Sequence, residues 1–195
     1  MLNKVRQTIN DVPALYGDFG LKVYDSIQGR RQLVLEFKKR NQITNQGREA
    51  LLSLMRPPEF SSGAPYTVPR PTQGENVIWA LAVGTNGTPP TIADTETTMA
   101  IVWQEAFDFG NGECSLVLSP PNSYHLSISK LLPASTTANG TTITEAGIFT
   151  RGDNDDPTAT TGRKLYARQK FTPITKTSTM TIQFEWLLGI TVQGS

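Results

Sequence analysis

Near its end this chain carries a strict two-residue alternation. From Thr179 to Leu188, the side chains of Met180, Ile182, Phe184, Trp186 and Leu188 fall on one side, and Thr181, Gln183 and Glu185 on the other. That period belongs to a strand with one buried and one wet face, not to a helix. Ser123–Ser129 repeats it: Tyr124, Leu126 and Ile128 alternate with Ser123, His125, Ser127 and Ser129. Strands of this kind need partners to cover their apolar sides. The candidates are Arg31–Phe37 (Leu33, Leu35 and Phe37 on one face), Val77–Val83, Met99–Phe107, Cys114–Leu118, Thr142–Phe149 and Leu165–Phe171. Short strands between Gly/Pro turns predict a mainly β fold, an antiparallel β-sandwich of jelly-roll-like type.

One short α-helix is expected near residues 45–56. Thr44 or Asn45 can cap it, Ala50, Leu51, Leu54 and Met55 form its apolar stripe, and Pro57-Pro58 ends it. Before it, Pro13, Gly17, Gly20 and Gly29 punctuate a weakly periodic stretch. This predicts an extended N-terminal arm, residues 1–42, with one strand, followed by a single sandwich domain over 43–195. Long loops are expected at 57–76 and 151–163. Gly84–Gly87 reads as a turn, and Asn111-Gly112 as a hairpin-type turn.

Chemistry is scarce. Cys114 and His125 are the only residues of their kinds, so neither an intrachain disulfide nor a Cys/His zinc site fits one chain. Cys114 is expected to act as a small buried hydrophobe and His125 to sit on the wet face of its strand. Asp153, Asp155 and Asp156 lack the spacing of an EF-hand. Arg151-Gly152-Asp153 is only a three-letter match to an adhesion tripeptide. The expectation is a protein with no catalytic residue, metal or cofactor.

The net charge is +1, but it is divided: residues 1–56 hold ten Lys/Arg against five Asp/Glu, the remainder eight against twelve. Arg30, Arg31, Lys38, Lys39 and Arg40 carry most of the excess and are the candidate partner contacts. No RNP motif, helix-turn-helix spacing or aromatic interleaving accompanies them, so no specific nucleic acid is expected. Apolar runs fall far short of the roughly 20 residues of a membrane helix, so no membrane partner is expected either.

Several blocks follow one another in a familiar order: Ile43-Thr44-Asn45-Gln46-Gly47, Ala82-Val83-Gly84-Thr85, Pro89-Pro90, Asp94-Thr95, Ile143-Thr144-Glu145-Ala146-Gly147-Ile148-Phe149, Leu165-Tyr166-Ala167-Arg168 and Phe171-Thr172-Pro173-Ile174-Thr175-Lys176. Over about residues 43–188 the chain resembles a group of tailed-bacteriophage virion proteins. It resembles the N-terminal attachment domain of phage tail-collar fibre proteins; small accessory proteins of phage heads and tails look similar. No shaft follows before Ser195, unlike a collar fibre. The resemblance implies a non-enzymatic virion protein that contacts major capsid, tail or baseplate subunits and forms a homo-oligomer within the particle. Head decoration (cement) is the first expectation, a tail, neck or baseplate adaptor the second. A carbohydrate-binding module using Trp79, Trp103 and Trp186 is a third, and a carboxylate glycosidase a distant fourth. Gly47, Gly84, Glu145, Gly147 and Phe149 are expected to serve structure. Of Ile148 and Phe149, on opposite strand faces, one is expected to fill the core and the other to meet a neighbour.

Overall fold

The computed structural model describes residues 14–55, 77–119, 123–151 and 163–191. Among them are nine strands and one α-helix: β1 Ala14–Ile27, β2 Arg30–Ile43, α1 Asn45–Met55, β3 Ile78–Gly84, β4 Ile101–Ala106, β5 Cys114–Ser119, β6 Ser123–Leu132, β7 Thr142–Thr150, β8 Leu165–Thr175 and β9 Met180–Thr191. All pairings are antiparallel, in the order β4-β3-β7-β8-β2-β1-β9-β6-β5. The order divides into two sheets, the first running from β2 to β5 and the second from β4 to β8. β2 belongs to both: Arg30–Asn41 pair with β1, and Gln42 and Ile43 pair with β8. The class is therefore the mainly β, two-sheet, one-helix fold that the alternation predicts.

The two sheets meet through aromatic rings. Phe19 of β1 lies 4.7 Å from Trp186 of β9 and 6.1 Å from Phe171 of β8, across the two layers. Leu21, Val23, Ile128, Ile143, Ile148, Ile182 and Phe184 complete a continuous core. Pairs of this kind contribute about 0.5–1.5 kcal/mol each beyond their buried area.

The N-terminal segment departs from expectation. Residues 14–43 are not an arm with one strand but two long strands, and the expected boundary at 42/43 falls inside β2. β1 lies between β2 and β9 and gives Phe19, Leu21 and Val23 to the core. Its glycines are close-packing positions rather than breaks. A Cβ on Gly17 would meet Leu188 and Asn41 at 3.2–3.3 Å, and one on Gly20 would meet the Glu185 carboxylate at 3.3 Å. Gln28 (φ 53°) and Gly29 (φ 73°) make the two-residue hairpin turn with both central residues left-handed. A bulge at Val34 sends Leu33 to the outer face opposite Tyr24, while Leu35 and Phe37 stay inward opposite Val23 and Leu21. Leu33, Leu35 and Phe37 therefore do not share one face, because an added residue inverts the alternation.

Asn111-Gly112 does not close a hairpin. Asn111 ends and Gly112 caps a single 3-10 turn, Phe109–Asn111, on the crossing from β4 in one sheet to β5 in the other; Gly112 supplies the left-handed residue (φ 75°). The expected loops at 57–76 and 151–163 lie almost wholly outside the described residues, as do Asp153, Asp155 and Asp156.

Thr44 is the helix cap. Its hydroxyl accepts from the Gly47 amide at 3.0 Å, and its carbonyl accepts from the Arg48 amide at 3.0 Å. The same hydroxyl donates to the Leu165 carbonyl of β8, and the Thr44 amide donates to the Tyr166 carbonyl at 3.1 Å. The helix start is thus fixed on β8, and Gly47 packs directly against it. A Cβ there would lie 2.8 Å from the Tyr166 carbonyl carbon, with the oxygen closer still. Gly47→Ala is therefore expected to lower the unfolding free energy by about 1–3 kcal/mol, the usual cost of overpacking. Gly87→Ala serves as its control: the nearest atom to a Cβ at Gly87 is the Lys170 amine at 3.9 Å, and stability should hardly fall. Urea denaturation of both variants checks the contrast.

Candidate functional site

Most of the sequence blocks meet on the outer face of the second sheet. Cross-strand register places Gly84 beside Glu145, Ala82 beside Gly147, Gly147 beside Arg168, and Ala80 beside Phe149. A bulge between Ile143 and Glu145 turns this row outward. The segment 85–100 then crosses over it. Glu145 and Arg168 are fully buried and Asp94 nearly so.

The charged groups are fully engaged. Glu145 Oε1 accepts from the backbone amides of Asn86 (2.9 Å) and Ala100 (3.2 Å). Its Oε2 accepts from Arg168 Nε at 2.6 Å. Arg168 Nη1 donates to Asp94 Oδ2 at 2.7 Å, and Nη2 donates to the Thr88 carbonyl and hydroxyl at 3.1 and 3.2 Å. Asp94 also accepts from the Thr91 amide (3.0 Å) and hydroxyl (2.7 Å). Burial pushes the Asp94 carboxyl up, but the Thr91 amide, the Arg168 guanidinium and the Thr91 hydroxyl outweigh it and hold the pKa below the ordinary aspartate value.

Glycine makes this approach possible. A Cβ on Gly84 would lie 2.8 Å from the Ala100 carbonyl oxygen, with the Glu145 carboxylate nearer still. One on Gly147 would meet the Met99 sulfur at 2.5 Å. Ile148 and Phe149 do point to opposite faces, and both are buried within this chain. Ile148 fills the main core; Phe149 packs with Ala82, Met99 and Leu165 beneath the Arg163 guanidinium, 4.6 Å from its ring. The overlying segment of the same chain takes the expected partner's place.

Two buried lysines do similar work elsewhere. Lys176 Nζ donates to the Ala134 carbonyl, the Asn139 side chain and the Thr177 carbonyl at 2.7–2.9 Å. Lys130 Nζ donates to the Ala106 carbonyl at 2.9 Å and pairs with Glu105 and Glu113, joining the crossing segment to β6. Burial opposes the charge of Lys130, but the Glu113 and Glu105 contacts raise its pKa nevertheless.

The expected contact cations behave differently. Arg30, Arg31, Lys38, Lys39 and Arg40 are all exposed along β2. They form two groups rather than one patch, because at roughly 3.3 Å per residue Arg31 and Lys38 stand about 23 Å apart. Arg31 stacks on Tyr24 at 3.9 Å. Lys38 and Arg40 border a groove of about 600 Å³ across the outer face of the first sheet, with Asp18, Gly20, Ser127, Ser129 and Glu185 on its other sides. Glu185 in that groove is held by Lys22 at 2.9 Å and Gln183 at 3.1 Å.

The remaining candidates resolve individually. His125 is buried (9 % exposed) rather than on a wet face. Its strand is internal to the sheet, so Val117 and Gly189 flank it on either side. Cys114 is half-buried, opposite Ile128, three register positions from His125, so the two form no nucleophilic pair. Burial, with Glu113 adding and Lys130 opposing, pushes its thiol up to about 11. Trp186 lies inside the core, and Trp79 is half-buried with the Arg151 guanidinium 5.2 Å from its ring. Trp186 is therefore closed to a stacking sugar. Among the described residues no group of three His, Cys, Asp or Glu is placed to hold a metal ion, and no helix is long and apolar enough to cross a membrane. Comparison of the chain with protein-family models, curated proteins and solved structures finds no match.

Three outcomes follow from this chemistry. Glu145→Ala should cost about 3 kcal/mol or more, since it leaves a buried cation and two amides short of an acceptor; Glu145→Gln, which keeps an oxygen for the amides, should cost less in the same denaturation series. For Asp94 the folded pKa lies below the unfolded one, so its contribution is complete above the unfolded value and is lost as pH falls through the folded one. Asp94→Asn should flatten the fall in urea midpoint below about pH 4. Cys114 should react slowly with iodoacetamide at neutral pH until the chain is unfolded.

Proposed function

We propose that this chain is a non-enzymatic structural protein of a tailed-phage virion, most simply a head decoration or cement protein that packs on major capsid subunits as a homo-oligomer. One observation carries the reading. The polar residues of the shared blocks (Thr44, Asp94, Glu145, Arg168, Lys176) are engaged in holding loops and helix onto the sheets. Residues committed in that way specify a shape rather than a reaction. The surplus cations meanwhile are exposed along β2, where subunits of a particle can reach them. A tail, neck or baseplate adaptor is the second reading, favoured by the likeness of the blocks to collar-fibre attachment domains.

Copy number separates the two, because symmetry fixes how many equivalent positions a particle offers. Quantitative mass spectrometry of purified virions, scaled to the major capsid protein, is expected to give a count in the hundreds for head decoration. A few to a few dozen copies would make the chain a neck, tail or baseplate component. Absence from purified particles would overturn the virion reading.

A further inference from the structure

Beyond that reading, and independent of it, we infer that the free edge of β2 is an acceptor for an extended acidic segment of a different protein, bound as an added strand. β2 pairs with β1 over Arg30–Asn41, but on its other side β8 joins it only at Gln42 and Ile43. The sheets fork there. Among the described residues no strand pairs with the outer side of residues 30–41, so a row of backbone donors and acceptors is left for a partner. Beside that row lie Leu33, Val34 and Leu35, which are 51 %, 47 % and 36 % exposed. Leu35 is inward-facing, as is Phe37, which packs edge-on against Phe19 at 6.1 Å. Backbone hydrogen bonding and an apolar centre together call for a polypeptide strand; a nucleic acid backbone would answer only the cations.

Charge selects which strand. Residues 30–40 hold Arg30, Arg31, Lys38, Lys39 and Arg40 against a single carboxylate, Glu36, which is already paired with Lys38 at 3.0 Å. A second copy is disfavoured. Paired antiparallel about Leu35, Arg30 would face Arg40, Arg31 would face Lys39, and Gln32 would face Lys38. In-register parallel pairing also sets like against like, and directly opposed like charges destabilise a ladder. The edge is therefore blunted against its own kind. A strand with carboxylates at both ends and Val, Ile or Thr at its centre places an anion on each cationic group and apolar side chains on Leu33–Phe37.

The test uses the full chain and a synthetic peptide with a Val/Ile/Thr centre flanked at both ends by Asp and Glu; a charge-inverted peptide with Lys at those places is its control. Affinity is read by fluorescence anisotropy and edge pairing by amide hydrogen exchange. The acidic peptide should bind saturably and slow exchange within residues 30–40, and the Lys peptide should do neither. The variant K38E/K39E/R40E, altered only at exposed positions, should weaken the acidic peptide roughly tenfold or more, the combined effect of several cross-strand charge pairs. The same variant should gain affinity for the Lys peptide, an outcome that a misfolded protein would not give. Absence of saturable binding, or binding without protection of residues 30–40, would overturn the proposal. So would tighter binding of a DNA duplex that displaces the peptide, or protection of the same amides by self-association without peptide.

Discussion

A buried cation between two carboxylates sets the terms for half of this molecule. Arg168 has no exposed surface, and burying its charge without partners would cost several kcal/mol. Glu145 and Asp94 meet that demand from different directions, one from the neighbouring strand and the other from the segment that crosses over it. Because Glu145 also accepts the amides of Asn86 and Ala100, it ties both ends of the crossing segment to β7. Apolar contact alone would let that segment slide; directional hydrogen bonds to a charged group fix its register. The glycines at 84 and 147 follow from this arrangement, since the covering segment and the carboxylate occupy the space their side chains would need.

The two sheets consequently differ in kind. The second is covered on both faces, by the aromatic core inside and by residues 85–100 outside, and reads as near-continuous burial along β3, β7 and the first half of β8. The first is covered on its inner face and, apart from the buried His125, open on the other. Its outer side carries the charged and hydroxyl side chains of Asp18, Lys22, Ser127, Ser129 and Glu185. Cover is concentrated in one layer, and surface available to other molecules in the other.

Much of the architecture is legible in the residues, for reasons that also explain what is not. Alternation reveals β6 and β9 because each has one dry and one wet face, and Thr44 marks the start of the helix, while Pro57-Pro58 lie outside the described residues. β1 is hidden because Gly17 and Gly20 read as breaks, whereas they are strand positions set by close neighbours across the sheet. The bulge at Val34 hides the true facing of Leu33, since an inserted residue leaves no compositional mark. Glu145, Gly147 and Phe149 stand out in sequence as a block, but their partners Asp94 and Arg168 lie far away along the chain; the pairing of β7 with β8 brings in Arg168, and the passage of residues 85–100 over the sheet brings in Asp94. His125 shows the same limit: alternation gives the side it faces, not what covers that side.

β1 is hydrogen-bonded on both flanks, to β2 from Gly17 to Ile27 and to β9 from Ala14 to Asp25. A tension applied along its axis loads both ladders in shear, with the bonds resisting together. Among the described residues β5, at the end of its sheet, has β6 as its only partner in the ladder, and a pull across it parts the bonds one after another. The protein is thus mechanically anisotropic, stiff along the line of β1 and β2 and compliant at β5. Force arriving at the hairpin tip around Gln28 and Gly29 runs down β2 into β8 and the second sheet, so this strand, common to both layers, also serves as the tendon between them.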